Sequence, residues 1–359
     1  MTPERLVSLL RELVELESPT YSPGVRRVAE RLAAELEALG GDARLLDGDH
    51  VVADFPGAGD PLLLVGHTDT VWPAGTLAHM PFRVQDGRAY GPGAYDMKGS
   101  LVLLLAAIAQ AGKERRALRV FLTADEEQGS RTGRPHLEAA ARGTAAALVV
   151  EPPSAQGHLK TARKGLGRFR LTITGRPSHA GNDRSHGVSA IEELAHQILA
   201  LHALNDEERG LSVNVGVVRG GTTENVVAAE AEAQIDVRVA SRADLARAEG
   251  LLAGLEPALD GTELAVSGDW TRPPLEPSPA AARLFARARE HGLALGLDLR
   301  ETSSGGGSDG NLVGALGIPV LDGLGAEGAG AHAHDEHLLL ASLPVRTALL
   351  ARLLREPGL

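Results

Sequence analysis

The sequence predicts an α/β protein in which a mainly parallel sheet is covered by helices on both faces, with a smaller α+β domain inserted. Three observations support this prediction. Short apolar runs typical of buried strands alternate with helical patterns in the first part of the chain. From about Leu166, longer segments alternate between apolar and polar residues, as strands with one exposed face do. After Thr271–Pro274 the apolar helix and strand patterns return.

The first two helices begin at matching signals. Thr2-Pro3 and Ser22-Pro23 each predict an N-cap residue followed by proline in the first helical turn. Apolar residues then recur at helical spacing in both segments. Gly40 is expected to end the second helix.

Three apolar runs predict buried strands of the larger domain, at Leu62–Val65, Leu118–Leu122 and Ala147–Val150. A helix is predicted over Met97–Gln110, between the first two strands. In open α/β sheets, ligands bind beyond the carboxyl ends of the strands. We therefore expect functional side chains where these three strands end.

The inserted domain is predicted to consist of residues 166–272, between residues 1–165 and 273–359 of the larger domain. Its clearest strand is Glu230–Val239, where apolar and polar residues alternate without interruption. Two strands with a helix between them are expected before it, and one more helix and one more strand after it.

Composition excludes several classes of function. The chain contains no cysteine, which excludes disulfides, thiolate metal sites and a cysteine nucleophile. With 47 acidic and 36 basic residues the net charge is −11, which argues against nucleic acid or an anionic membrane as partner. The longest apolar stretch, Leu101–Ala109, is too short to span a membrane. The N-terminus lacks a signal-peptide pattern, so a cytoplasmic location is expected.

Potential metal ligands follow each predicted strand. His67 follows the first strand, Glu127 the second and Glu151 the third, while Asp96 precedes the third helix. Carboxylates crowded together repel one another, and divalent cations remove that repulsion. Two zinc ions would be balanced by three carboxylates and one hydroxide, which favours two metals bound by these residues and one distant histidine. Each residue alone could equally be an N-cap or a solvated strand end.

The distant histidine must come from the segment Gly330–His337, in which His332, His334 and His337 compete. Spacing does not choose among them, and a polar surface turn is the alternative for the segment.

The adjacent Glu126 and Glu127 suit a division of labour. One can bind metal while the other faces the activated water and acts as general base.

Taken together, these motifs resemble the zinc aminoacylase and carboxypeptidase superfamily, which includes glutamate carboxypeptidase, acetylornithine deacetylase and succinyl-diaminopimelate desuccinylase. The matching segments run through nearly the whole chain and are Gly66–Thr70, Gly91–Gly99, Glu126-Glu127, Glu151-Pro152 and Gly330–His337. The stretch from Pro81 to Gly93 is most similar to the glutamate carboxypeptidase branch.

The resemblance implies two zinc sites, with cobalt or manganese as possible substitutes. One ion would be held by His67, Asp96 and Glu151, and the other by Asp96, Glu127 and His332, with Asp96 as the bridge. Asp69 would orient His67, and Glu126 would be the general base.

The resemblance also implies that the inserted domain is a lid through which a homodimer forms. His179 would reach the active site of the partner subunit and stabilise the oxyanion; without the resemblance it would be a surface-turn residue. Asn225 and Arg238 would hold the substrate carboxylate. Arg272 would be a second anion clamp, and Gly306 would lie in a loop whose backbone amides approach the substrate.

The function implied is a dinuclear zinc hydrolase, similar to glutamate carboxypeptidase, that cleaves an amide bond next to a free carboxylate in a small peptide. A deacylase of N-acyl amino acids and a non-catalytic metal-binding homologue are alternatives. A serine hydrolase is another, because Gly306–Gly310 fits the pattern Gly-x-Ser-x-Gly. However, polar residues, Glu301–Ser304, precede this motif instead of the buried strand that a serine elbow requires.

Overall fold

The computed structural model describes residues 1–356, which divide into two compact units. Unit 1 contains residues 1–162, 276–304 and 308–356. Unit 2 contains Arg163–Leu275 and Gly305–Gly307. That unit 2 serves as a lid and dimerisation domain stays a prediction.

Helices and strands alternate along most of the chain. The helices are α1 (Pro3–Glu15), α2 (Pro23–Ala38), α3 (Gly99–Ala111), α4 (Gly133–Ala141), α5 (Ala190–His202), α6 (Arg242–Ala253), α7 (Pro279–Leu293), α8 (Asp309–Ala315) and α9 (Ser342–Arg355). The strands are β1 (Asp42–Leu45), β2 (Val51–Phe55), β3 (Ala58–His67), β4 (Arg83–Gln85), β5 (Arg88–Tyr90), β6 (Arg116–Thr123), β7 (Ala146–Val149), β8 (Leu159–Arg163), β9 (Gly165–Thr174), β10 (Ser212–Gly220), β11 (Glu230–Val239), β12 (Glu263–Arg272), β13 (Glu301–Ser304), β14 (Val320–Leu321), β15 (Gly328–Ala329) and β16 (His337–Leu339).

The central sheet of unit 1 has the strand order β1-β2-β6-β3-β7-β14. Strand β3 pairs in parallel with β6 and β7, and β14 pairs in parallel with β7, whereas β1 and β2 form an antiparallel edge. This confirms the predicted α/β fold with a mainly parallel sheet. The register sets His67 beside Thr123, so the carboxyl ends of β3 and β6 lie together.

The predicted helix starts are confirmed for α1 and α2. The hydroxyl of Thr2 accepts a hydrogen bond from the Arg5 amide at 3.3 Å, and that of Ser22 accepts one from the Gly24 amide at 3.3 Å. The predicted start of the third helix at Met97 is wrong. Residues 94–98 form a separate wide turn with non-helical dihedral angles at Asp96 and Met97, so α3 begins at Gly99.

Helix α3 lies inside unit 1. Every residue from Gly99 to Ile108 is buried, and the helix packs against α1 and α9. A helix that is apolar on all sides requires such surroundings.

A second sheet of unit 1 has the order β15-β16-β5-β4. Strand β16 pairs antiparallel with β5, with His337 opposite Tyr90. This pairing brings the turn that precedes His337 close to the residues that follow β5. The sequence patterns did not predict this sheet, because strands of two or three residues carry no periodic signal.

Unit 2 is built on an antiparallel sheet with the order β10-β11-β9-β12. Its central strand β11 alternates between buried and partly exposed residues, as predicted for Glu230–Val239. Helices α5 and α6 pack against the sheet. No helix within residues 1–356 combines the length and apolar character needed to cross a membrane.

Candidate metal centre

Five side chains of unit 1 bring potential ligand atoms together in two groups that share Asp96. In the first group, Nε2 of His67 lies 3.2 Å from Oδ1 of Asp96 and 3.7 Å from Oε1 of Glu151. In the second, Nε2 of His332 lies 3.4 Å from Oδ2 of Asp96 and 3.3 Å from Oε2 of Glu127. Asp96 therefore offers one carboxylate oxygen to each group.

The spacing of these atoms fits a metal ion in each group. Two ligands bound to one tetrahedral zinc ion at about 2.0–2.1 Å are roughly 3.3–3.4 Å apart. In addition, Oε1 of Glu127 is buried and has no hydrogen-bond partner within residues 1–356. A bound cation would offset the free-energy cost of burying that oxygen without a hydrogen-bond partner. The nitrogen and oxygen donors suit zinc, cobalt or manganese.

Without a cation, the ligands share protons with one another. Burial opposes the charged form of His67, but its hydrogen bonds to Asp69 and Asp96 raise its pKa well above the usual value. Hydrogen bonds to Asp96 and Glu127 raise the pKa of His332 to about 10. Burial alone would raise the pKa of Asp96, but its hydrogen bonds with the imidazoles of His332 and His67 hold that pKa well below its usual range. At neutral pH the His332 imidazole of the metal-free protein therefore carries a proton that a metal ion must displace, and the raised pKa of His67 acts in the same direction.

His67 ends strand β3 and is almost fully buried. Its Nδ1 lies 3.0 Å from the main-chain oxygen of Asp69 and 3.4 Å from the Asp69 carboxylate. The closer partner is therefore the main chain and not the carboxylate. Either contact turns Nε2 towards Asp96 and Glu151.

The Asp69 carboxylate holds the turn that follows β6. It accepts hydrogen bonds from the amides of Glu126 and Glu127, at 3.1 and 3.2 Å, and from the hydroxyl of Thr20 at 2.7 Å. The sequence pattern did not reveal this second task, because which amides face a carboxylate depends on the conformation of the turn.

Glu126 and Glu127 lie in a turn of 3-10 helix, Glu126–Gln128. Consecutive residues of such a helix point about 120° apart, so the two carboxylates diverge. The Glu127 side chain is only 7% exposed and faces His332, and burial raises its pKa to about 7. Glu126 is half-buried. This geometry is compatible with one ligand and one base, although the two roles stay predictions.

The three histidines of the segment Gly330–His337 have different surroundings. His332 faces Asp96 and Glu127. The ring of His334 lies 5.6 Å from that of Trp72, and the ring of His337 lies 5.2 Å from that of Tyr90. Of these three, His332 is the one that belongs to a ligand group.

His179 and Asn225 are neighbours within unit 2. The amide of Ala180 donates a hydrogen bond to the carbonyl of Asn225 at 3.0 Å. Nδ1 of the exposed His179 accepts hydrogen bonds from the amides of Gly181 and Asn182, both at 3.1 Å. The neutral imidazole therefore carries its hydrogen on Nε2.

The loop Gly305–Gly307 of unit 2 lies among three arginines. Nη1 of Arg238 donates to the carbonyl of Gly305 at 2.9 Å, and Nη1 of Arg163 donates to the carbonyls of Gly306 and Gly307, both at 3.1 Å. The buried Arg272 is so close that a Cβ atom at Gly307 would lie 2.9 Å from its Cδ atom. Arg238, Arg272 and Gly306 thus lie close together. The sequence patterns did not predict that Arg163 binds the carbonyls of this loop.

Ser308 has a structural role. It is fully buried, its hydroxyl donates to Asp322 at 2.6 Å, and it forms a capping box with Asn311 at the start of α8. A serine nucleophile needs an exposed hydroxyl. The structure therefore argues against the serine hydrolase hypothesis.

Comparison with known proteins gave consistent matches. The sequence model of peptidase family M20/M25/M40 matches residues 63–356. The chain is 30% identical over 373 residues to carboxypeptidase G2 of Pseudomonas sp. (strain RS-16), covering 98% of this chain and 89% of that protein. It is 31% identical over 290 residues to succinyl-diaminopimelate desuccinylase 2 of Shewanella loihica, covering 73% of this chain and 75% of that protein.

Two solved structures share the fold. One is an M20 family metallo-carboxypeptidase from Sulfolobus solfataricus, with a TM-score of 0.80, 19% identity and coverage of 98% of both chains. The other is a dinuclear metal-binding peptidase of the M20 family from Bacillus subtilis, with a TM-score of 0.71, 18% identity and coverage of 98% of this chain and 97% of that chain.

Proposed function

The chain belongs to peptidase family M20/M25/M40, and we propose that it is a dinuclear zinc hydrolase that cleaves an amide bond next to a free carboxylate, as a glutamate carboxypeptidase does. One observation carries the proposal. The two carboxylate oxygens of Asp96 face two different imidazoles, those of His67 and His332, at 3.2 and 3.4 Å. A carboxylate in that position can bridge two ions.

The ligands follow from the two groups of atoms. His67, Asp96 and Glu151 would hold one ion, and Asp96, Glu127 and His332 the other. Zinc is the proposed metal, and cobalt or manganese suits the same donors. A pair of ions held by these residues would polarise the scissile carbonyl and would lower the pKa of the attacking water.

Glu126 is the proposed general base. Its carboxylate takes one proton from water as the water oxygen bonds to the scissile carbonyl carbon. The same proton then passes to the amide nitrogen as the carbon–nitrogen bond breaks, which gives an amine and a carboxylic acid. The acid then loses the second proton of the water to the amine, so that a carboxylate and an ammonium group leave. Glu126 is suited to this transfer because Asp69 fixes its main-chain amide.

His179 is proposed to donate a hydrogen bond from Nε2 to the oxyanion. Its Nδ1 is occupied by two backbone amides, so Nε2 is the donor of the neutral ring. By the family pattern this histidine would act in the partner subunit of a homodimer formed through unit 2.

Arg238 and Asn225 are proposed to hold the substrate carboxylate. Nε of Arg238 donates to Asp236 at 2.8 Å, which fixes the plane of the guanidinium beside Gly305. Arg272 is a second proposed anion contact, and Gly306 would offer its backbone amide to the substrate.

The second candidate is a deacylase that removes an acyl group from an N-acyl amino acid. The identity of 31% to a desuccinylase, beside 30% to a carboxypeptidase, supports it. Both candidates use the same bond-breaking chemistry and differ in the substrate pocket.

A substrate panel on zinc-loaded protein tests both candidates. Peptides and folate-like amides with a C-terminal glutamate should be hydrolysed at least tenfold faster, by kcat/KM, than N-acetyl and N-succinyl amino acids. The reverse order would favour the deacylase. No hydrolysis with zinc, cobalt or manganese would leave only the non-catalytic metal-binding homologue.

A further inference from the structure

Glu336 is a fully buried carboxylate with four hydrogen-bond donors around it. Its Oε1 accepts from the amides of Tyr95 and Asp96, both at 3.0 Å. Its Oε2 accepts from the amide of Gly93 at 3.0 Å and from Nε1 of Trp72 at 2.7 Å. A carboxylate has about four lone-pair positions, so these donors fill it.

The amides that surround Glu336 belong to the turn that carries Asp96. Asp96 has φ −115° and ψ 95°, which are not helical. The amides of a non-helical turn lack the carbonyl partners that a helix would provide, and a buried amide without an acceptor is costly. The carboxylate of Glu336 supplies that acceptor. It thereby stabilises the observed conformation, in which the Asp96 side chain faces both His67 and His332.

Glu336 also belongs to the segment that carries His332. The amide of Glu336 donates to the carbonyl of Ala333 at 2.9 Å, within the turn that follows His332. The carbonyl of Glu336 accepts from the amide of Gly91 at 3.4 Å. One residue therefore joins two segments that lie about 240 positions apart, as the separation of Asp96 from Glu336 shows. Glu127 is held separately, by Asp69.

We propose that Glu336 is a positioning residue that sets the distance between Asp96 and His332, and through it the affinity for the ion that these two residues hold with Glu127. The inference rests on the dinuclear site of the proposed function. The ion held by His67, Asp96 and Glu151 should depend less on Glu336, because His67 and Glu151 come from strand ends of the central sheet.

The test is a calorimetric titration of metal-free protein with zinc, comparing wild type with Glu336→Gln. The amide of glutamine cannot accept hydrogen bonds at its nitrogen, so two of the four donors lose their acceptor. We expect one zinc ion to bind with an affinity close to that of wild type and the other about 10- to 100-fold more weakly. In cobalt-loaded protein, the visible absorption of the second ion should shift.

Glu193→Gln is the matched control. Glu193 in unit 2 is also a fully buried carboxylate with four donors: Ala258, Leu259, Thr262 and Gln197. Both variants should lower the melting temperature, but only Glu336→Gln should weaken the second zinc ion. If Glu336→Gln lowers the melting temperature and still binds both ions as wild type does, Glu336 is merely structural and the proposal is overturned.

Trp72→Phe provides a second test, and decides the matter if Glu336→Gln does not fold. It removes a single donor from the carboxylate, so the second zinc ion should bind several-fold more weakly. The control is Trp270→Phe, because Nε1 of the buried Trp270 has no hydrogen-bond partner within residues 1–356. Equal zinc affinities in Trp72→Phe and wild type would contradict the proposal. A wild type that binds fewer than two zinc ions would instead overturn the dinuclear function itself.

Discussion

At the scale of single residues, Glu126 and Glu127 differ in what they contact. The Glu127 side chain faces His332, whereas Glu126 is half-buried, and the amides of both residues donate hydrogen bonds to Asp69. Replacing Glu126 by glutamine keeps this main-chain hydrogen bond and removes the carboxylate that would accept the proton.

We expect Glu126→Gln to lower kcat by about 10²- to 10⁴-fold while zinc content stays unchanged. Steady-state kinetics and metal analysis on the same preparation measure both. Glu127→Gln is the contrasting variant, because it should lose one zinc ion as well as activity. Wild-type turnover by Glu126→Gln would show that another residue is the base.

The protonation of the two imidazoles predicts that zinc binding depends on pH. The pKa of His332 is raised to about 10, so its imidazole is protonated at pH 7 in metal-free protein, and the raised pKa of His67 favours protonation there too. Zinc binding must displace these protons. Zinc affinity should therefore rise with pH between about 6 and 8, with at least one proton released per chain. Calorimetry in buffers of different ionisation enthalpy measures the release. An affinity that is constant over this range would contradict the prediction.

Three of the candidate ligands, His67, Glu127 and Glu151, could be proposed from the sequence because the ends of parallel strands must meet at one edge of the sheet. The choice among His332, His334 and His337 did not follow from spacing, since it depends on the pairing of β16 with β5. The hydrogen bonds that the Glu126 and Glu127 amides donate to Asp69 could not be predicted either, because they depend on the geometry of the turn.

At the scale of elements, α5 is anchored by Glu193, whose carboxylate binds the amides of Ala258 and Leu259. Burial opposes the charge, but the hydrogen bonds from Gln197 and from these amides lower the pKa of Glu193 below its usual value. A lowered pKa means that the carboxylate stabilises the fold fully above pH of about 4.3, and that this contribution is lost as the pH falls through the lowered value.

Glu193→Gln should therefore lower the free energy of unfolding of unit 2 by about 1–3 kcal/mol at pH 7. The difference from wild type should shrink as the pH falls below about 4. Denaturant titrations followed by circular dichroism at several pH values provide the measurement. A difference that grows on acidification would contradict the assignment.

Among the elements, the long ones were predictable and the short ones were not. The strands that end at His67 and Thr123 and the alternating strand Glu230–Val239 follow from apolar patterning. The start of α3 at Gly99 and not Met97 does not, because the turn before it is held by Glu336, a residue far along the chain.

At the scale of the whole molecule, the edge of unit 2 supports the proposed homodimer. Strand β10 lies at the edge of its sheet and exposes Val217 and Val218, by 42% and 53%, and the neighbouring helix α5 exposes Leu199 by 72%. An edge strand with exposed apolar residues can pair with a second copy of the chain.

Val218→Lys should convert a dimer into a monomer in sedimentation velocity and leave zinc content unchanged. Activity should fall with the dimer, because His179 would no longer reach the site of a partner. Leu293→Lys is the control, since Leu293 is 58% exposed on α7 of unit 1 and should leave the dimer intact. A wild-type monomer with full activity would contradict both the dimer and the proposed role of His179.

The zinc content of wild type and Asp96→Asn, measured by mass spectrometry after saturation and dialysis, tests the central claim most directly. Asp96 is the residue that both ligand groups share. We predict two zinc ions per wild-type chain and at most one per chain of Asp96→Asn, with hydrolysis lost. One ion or none in wild type, or two ions in the variant, would contradict the bridged pair.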